Sequence, residues 1–183
     1  MPTPSKAILL NQRNRLHASG LDLLLTQFGA ANGLPTEFIF AIASRETNCT
    51  NELGDIQNGQ AHGVGIIQID VQHPIAQQAR DDGTWQTNPG PLINFGCTLL
   101  AADIIQVKHV LPNLTDPNAI LRIAAAGYNC GIGRAIQAAN QGNPDHFTTG
   151  GDYGQDVMNR MLIFKDILAV NTANPVNAPN AAN

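Results

Sequence analysis

Pro35-Thr36-Glu37-Phe38-Ile39-Phe40-Ala41-Ile42-Ala43-Ser44-Arg45-Glu46-Thr47 reads as a helix. Pro35 suits the first helical position, where a missing N–H costs nothing. Ile39, Ile42 and Glu46 then fall at i, i+3 and i+7, so a carboxyl group continues the stripe that faces the core. The polar run Thr47 to Asn51 stops the helix there. Partial burial and the negative end of the helix dipole both disfavour a charged carboxylate at that place. Glu46 is thereby a candidate general acid. A plainer reading stands beside it, in which Glu46 is a frayed terminal residue with its head in solvent.

The flanking chain organises around this helix. Residues 5 to 18 and 21 to 30 read as two helices broken at Ser19-Gly20. From Thr47 to His62 the chain is polar and rich in Gly and Asn, as a loop is. Gly63-Val64-Gly65-Ile66-Ile67-Gln68-Ile69-Asp70 follows, and its β-branched run Ile66 to Ile69 predicts a short strand. Alternation would put Gln68 and Asp70 on one face, turned either to a cleft or merely to water. Residues 71 to 89 read as mostly loop, with a helical turn at Ile75 to Arg80.

Leu92 to Leu111 reads as a long helix with Leu92, Phe95, Leu99, Ala102, Gln106 and Val110 as its stripe, ended by Pro112. Asp116-Pro117 is an N-cap followed by Pro at the first position, and that helix runs to Gly127-Tyr128-Asn129-Cys130-Gly131. Tyr128 ends the buried stripe, with its hydroxyl within reach of a wet cleft or simply placed in the core. Gly133 to Asn140 is a short helix and Gln141 to Gly151 a loop. The last helix is Asp152 to Val170, where Asp152 and Gln155 resemble a capping box. Asn171 to Asn183 is rich in Asn, Ala and Pro and is expected to be a disordered tail.

The fold class expected is α+β, predominantly α-helical, with a small sheet beside the Glu46 helix. One domain over residues 1–170 suits 183 residues with 43% hydrophobic and 13% charged content. A net charge of −4 leaves no basic footprint for nucleic acid and no general attraction to anionic surfaces. Met1-Pro2-Thr3-Pro4 opens no signal peptide, and no run is expected to span a bilayer. Cys49, Cys97 and Cys130 match no zinc or redox spacing and read as small apolar residues. No cofactor or metal is expected.

Four stretches resemble one family in its order. These are Ala43-Ser44-Arg45-Glu46-Thr47, Gly65-Ile66-Ile67-Gln68-Ile69-Asp70, Ala126-Gly127-Tyr128-Asn129-Cys130-Gly131 and Gly151-Asp152-Tyr153-Gly154-Gln155-Asp156-Val157. They are similar to segments of the goose-type lysozymes, glycoside hydrolases of family 23 related to the soluble lytic transglycosylases. The match spans residues 35 to 169; residues 1 to 20 and the tail add nothing to it.

The resemblance implies a lysozyme-like fold and cleavage of the β-1,4 bond between N-acetylmuramic acid and N-acetylglucosamine. It makes Glu46 the general acid and Asp70 the carboxylate that places the attacking water. Gln68, Tyr128, Asn129 and Tyr153 would line the substrate cleft. His73 lies one position out of register with a sugar-binding histidine of the family and reads also as a surface residue. The family's second aspartate falls on Gly59 here; Asp55, in the same loop, is the candidate substitute. The alternatives are a lytic transglycosylase forming 1,6-anhydro products, a chitinase, and a silent sugar-binding module. The partner implied is peptidoglycan or a chitin-like polysaccharide, acted on by a monomer outside the cell, with no nucleic acid and no membrane.

Overall fold

In the computed structural model, residues 3–173 are described. Helix α1 (Lys6–Ser19) is capped by Ser5, whose hydroxyl accepts from the Ile8 N–H at 3.5 Å. Gly20, at φ 72°, ends α1 and turns the chain into α2 (Leu21–Ala31). That left-handed conformation is one that glycine adopts without strain.

Helix α3 (Thr36–Thr47) follows, and Pro35 is its N-cap in extended backbone, one residue outside the helical position expected. Seven consecutive residues, Phe38 to Ser44, are buried, so α3 is apolar on every side and runs through the core. Its edge-to-face Phe40–Phe164 contact, with ring centroids 5.9 Å apart, joins it to α9 (Tyr153–Ala173). Asn48 and Cys49 close α3 in left-handed backbone, their N–H groups bonding to Ser44 and Ala43 carbonyls.

The expected loop of residues 47 to 62 is instead largely a β-hairpin. Strand β1 (Leu53–Gln57) pairs antiparallel with β2 (Gln60–Val64) through a two-residue turn, Asn58-Gly59. Both turn residues have positive φ, 51° and 77°, matching the twist of the flanking strands. The expected strand Ile66 to Ile69 shrinks to β3 (Ile69–Asp70), paired with β2. Gly65 to Gln68 is a turn: Gly65 has φ 84°, Gln68 has φ 51°, and the Gln68 N–H bonds to the Gly65 carbonyl at 3.1 Å. Ile66 and Ile67 are both buried, so no alternation exists, and Gln68 and Asp70 do not share a strand face.

Residues 71 to 89 hold α4 (Pro74–Asp82) and a single turn, α5 (Thr84–Thr87), where mostly loop was expected. Helix α6 (Gly90–Val110) buries Leu92, Ile93, Gly96, Cys97, Leu100 and Val107; of the expected stripe, Ala102, Gln106 and Val110 are exposed. By length and composition α6 is long and apolar enough to cross a membrane, contrary to the expectation that no run is. Here it packs against α2 and against α7 (Pro117–Cys130). The N-cap of α7 is Asp116, accepting from the Asn118 N–H at 3.0 Å, as the Asp-Pro pair predicts.

Helix α8 (Ile132–Asn140) packs on α7 over a second apolar cluster that includes Val107, Ile120, Ile123 and Ile136. The start of α9 is not capped by the expected Asp152–Gln155 box. The Gly154 and Gln155 N–H groups donate instead to the buried Asp145 carboxylate, at 2.5 and 3.2 Å. α9 reaches Ala173, and residues 174–183 of the expected tail lie outside the described residues. The architecture is mostly helical with one small antiparallel sheet, as expected. All three cysteines are free, Cys49 and Cys97 buried and Cys130 partly so.

Candidate active site

The end of α3 faces the hairpin across a recess of about 570 Å³. Glu46, Asp55, Gln68, Asp70 and Asn129 all line it. Glu46 is partly buried, and burial pushes its carboxyl from 4.5 up to about 7. Two contacts pull the other way: the Tyr153 hydroxyl donates to Glu46 Oε1, and the Arg45 guanidinium lies close by. Arg45 is itself occupied. It bonds Asp152 and Asp156, each at 2.9 Å, and its own side chain is 6% exposed. Much of its charge is thus neutralised by carboxylates, and desolvation dominates at Glu46. The carboxyl therefore keeps its proton near neutrality and faces open space.

Tyr153 does not line the recess. It is 3% exposed and sits behind Glu46, its ring 5.4 Å from the Arg45 guanidinium carbon.

Asp70 is exposed at the end of β3 and accepts the Gln72 N–H at 2.7 Å. Asp55 is exposed in β1 with φ 47°, a strained value that aspartate tolerates better than most residues. Its Oδ2 accepts from Gln57 Nε2 at 2.9 Å. Gly59 is at the hairpin tip, where positive φ favours glycine. Two further titratable residues of the lining, Glu52 and His62, were not anticipated, because the segment carrying them was read as loop. His62 falls across the hairpin from Asp55, between the paired positions Gly54–Gly63 and Ile56–Ala61.

Gln68 is held over the hairpin. Its Nε2 donates to the Gly65 carbonyl at 2.7 Å and the Glu52 carbonyl at 3.1 Å. Its amide lies on the paired glycines 54 and 63, where an added Cβ would stand 2.1 and 2.2 Å from Oε1. Asn129 Oδ1 accepts the Thr149 N–H at 2.8 Å, fixing the loop ahead of α9.

A second recess, of about 270 Å³, shares Gln68 and Asp70 with the first. Tyr128, His73, Asp103 and Ile132 complete much of its wall. The Tyr128 hydroxyl donates to the Ile67 carbonyl at 2.7 Å, and the Thr47 hydroxyl donates to the Ile66 carbonyl at 2.9 Å. The Gly65 to Gln68 turn is therefore tied to α7 and to α3. His73 packs edge-on against Phe95, centroids 5.0 Å apart. Asp103 was also not anticipated; burial raises its carboxyl to about 6. Its signal in the sequence is a single acid inside the apolar run Ala101 to Ile105.

A partly buried protonated carboxyl, opposed by ionisable carboxyl groups across a groove, can protonate a leaving oxygen on one side while water is held on the other. A family model described as Lysozyme g matches residues 20–167. A protein named Lysozyme g from Epinephelus coioides is 28% identical over 147 residues, covering 77% of this chain and 72% of that one. On the strength of the family match, the chain belongs to the lysozyme g family.

Proposed function

We propose that the protein is a muramidase that hydrolyses the β-1,4 bond between N-acetylmuramic acid and N-acetylglucosamine. The observation that carries this reading is Glu46, protonated to about pH 7 and sharing one recess with Asp70 and Asp55. Glu46 gives its proton to the glycosidic oxygen. Asp70, with Asp55, holds the water that attacks the opposite face of the sugar, inverting the anomer. The same carboxylates ease the positive charge that develops on the ring. Gln68, Asn129 and Tyr128 position the sugars, with His73 at the edge of the neighbouring recess.

Gly59 at the place of a second aspartate favours one other reading: attack by the substrate's own 6-hydroxyl, which gives a 1,6-anhydro sugar. Incubation with purified peptidoglycan and with chitin oligomers, followed by product masses and anomer analysis, tests both. Fragments lighter by one water identify the anhydro product. Absence of any glycan cleavage rejects the enzyme reading altogether.

Two substitutions probe the groups around the acid. The Tyr153 hydrogen bond lowers the Glu46 pKa, so Tyr153→Phe moves the limb on which activity falls, near pH 7 in the wild type, to higher pH. A pH–rate profile reads the direction; a shift to lower pH contradicts the assignment. In Gly54→Ala, the new methyl group displaces a flexible amide end rather than backbone. Stability should change by less than about 1 kcal/mol, while turnover drops about 10-fold through loss of Gln68 positioning. Gln68→Ala should match it, and the double variant should be no worse than either. Additive losses would show that Gly54 acts by another route.

A further inference from the structure

A third recess, of about 450 Å³, opens beside the C-terminal end of α3. Asn11, Gln12 and Arg15 of α1 form one wall; Asn48, Thr50 and Glu52 form much of the other. Glu52 also lines the Glu46 recess, so the two abut there. The Tyr128 recess meets the Glu46 recess elsewhere, at Gln68 and Asp70. The α1 recess is therefore an additional arm of the groove. Its α1 wall lies outside the stretch, residues 20–167, that the family model matches.

The chemistry of this arm differs from that of the rest. Arg15 Nη1 donates to the Asn48 carbonyl at 2.8 Å and to Thr50 Oγ1 at 2.9 Å. Asn48 is fixed in turn by Gln12 Nε2, 3.2 Å from its Oδ1. The guanidinium is thus held in place, while its Nε and Nη2 donate to no described residue. It forms no ion pair among the described residues. The Asn11 amide is exposed on the same wall and likewise has no partner among the described residues. A positioned guanidinium with free donors beside a free amide suits a carboxylate carried on an amide-bearing arm.

We propose that the α1 recess is a subsite for the carboxylate-bearing stem peptide attached to the glycan, with Arg15 as its anion-binding group. This inference rests on the muramidase reading and narrows it to acidic, peptide-bearing strands over neutral chitin. The charge acts locally, against a molecule whose net charge is −4.

The test compares kcat/KM on three substrates: peptide-bearing glycan, glycan stripped of its peptides by an amidase, and chitin hexamer. Arg15→Gln should lower the ratio of peptide-bearing to chitin turnover about 5-fold, mainly through KM. Arg15→Lys should restore part of it, because the charge returns without the fork. Asn11→Asp, which leaves the Asn48 contact intact, should also lower the ratio. Added salt should erode the wild-type preference more than that of Arg15→Gln. A ratio lowered on peptide-bearing glycan but not on stripped glycan assigns the stem; a loss confined to stripped glycan, whose lactyl carboxyl is free only once the peptide is gone, overturns the stem assignment. Equal losses on all three substrates, or an unchanged ratio in both Arg15→Gln and Asn11→Asp, overturns the subsite while leaving the muramidase reading intact. A wild-type protein that cleaves none of the three overturns both.

Discussion

Glu46→Gln is expected to lose at least about 10²-fold in kcat, the ordinary contribution of a positioned acid, while its fold persists and sugar still binds. The amide nearly keeps the carboxyl's shape. Its oxygen can still accept from the Tyr153 hydroxyl, so the local packing has no cause to rearrange. Only the transferable proton is gone. In the wild type, activity should fall as pH rises through about 7, where Glu46 ionises. The residual activity of the variant should lack that limb. Residual turnover equal to wild type would remove Glu46 from the mechanism.

The same substitution carries a stability signature of opposite sign. Folded Glu46 holds its proton to about pH 7, whereas the unfolded chain releases it near 4.5. Its contribution to stability is complete below about 4.5 and is lost as pH rises to 7, because ionising a desolvated carboxyl disfavours the native state. Glutamine has no such cost. Wild type and variant should therefore melt alike near pH 4, and the variant should melt higher at pH 8. A difference on the order of 3 kcal/mol follows from the pKa change, or roughly 5–10 °C at this chain length. Thermal denaturation at the two pH values measures it. A protein less active but more stable is what a strained catalytic group predicts.

Sequence reading located most of the helices, with α4 and α5 the exceptions, because their signals are local. Asp116-Pro117, Ser19-Gly20 and the apolar runs each mark an end or a face within a few residues. The hairpin was missed because Leu53 to Val64 is polar and does not alternate, so only Asn58-Gly59 hinted at it. The false strand at Ile66 to Ile69 came from β-branched residues buried on both sides of a turn held by Thr47 and Tyr128. That hydrogen bonding spans distant parts of the chain, and side-chain type alone does not encode it. The same limit applies at the site. Glu46 was legible as an acid on an apolar helix, but Glu52 and His62 depended on the missed hairpin. Tyr153 was expected as a cleft residue, as the resemblance implies; its bond to Glu46 crosses 107 residues.

Asp156→Ala is expected to be the most destabilising single change among the polar residues of the α3–α9 interface. Asp156 is 3% exposed, and its Oδ2 accepts from Arg45 Nη1 at 2.9 Å and Arg160 Nε at 2.8 Å. Arg160 Nη1 continues to the Ser44 hydroxyl at 2.7 Å, and Ser44 donates to Gln12 Oε1 at 2.5 Å. One carboxylate thereby balances two buried guanidinium groups and links α9 to α3 and α1. Its removal leaves both cations short of a partner, at a cost of about 3–5 kcal/mol. That is a large fraction of the roughly 5–15 kcal/mol of a typical domain. The melting temperature should fall by about 10 °C or more. Any folded enzyme that remains should show a second effect. Arg45 loses one of the carboxylates that neutralise it, so its pull on Glu46 strengthens and the Glu46 pKa falls. The pH at which activity declines should move below 7, opposite in direction to Tyr153→Phe. A melting temperature within about 1 °C of wild type would show that this buried network contributes nothing to the stability of the fold.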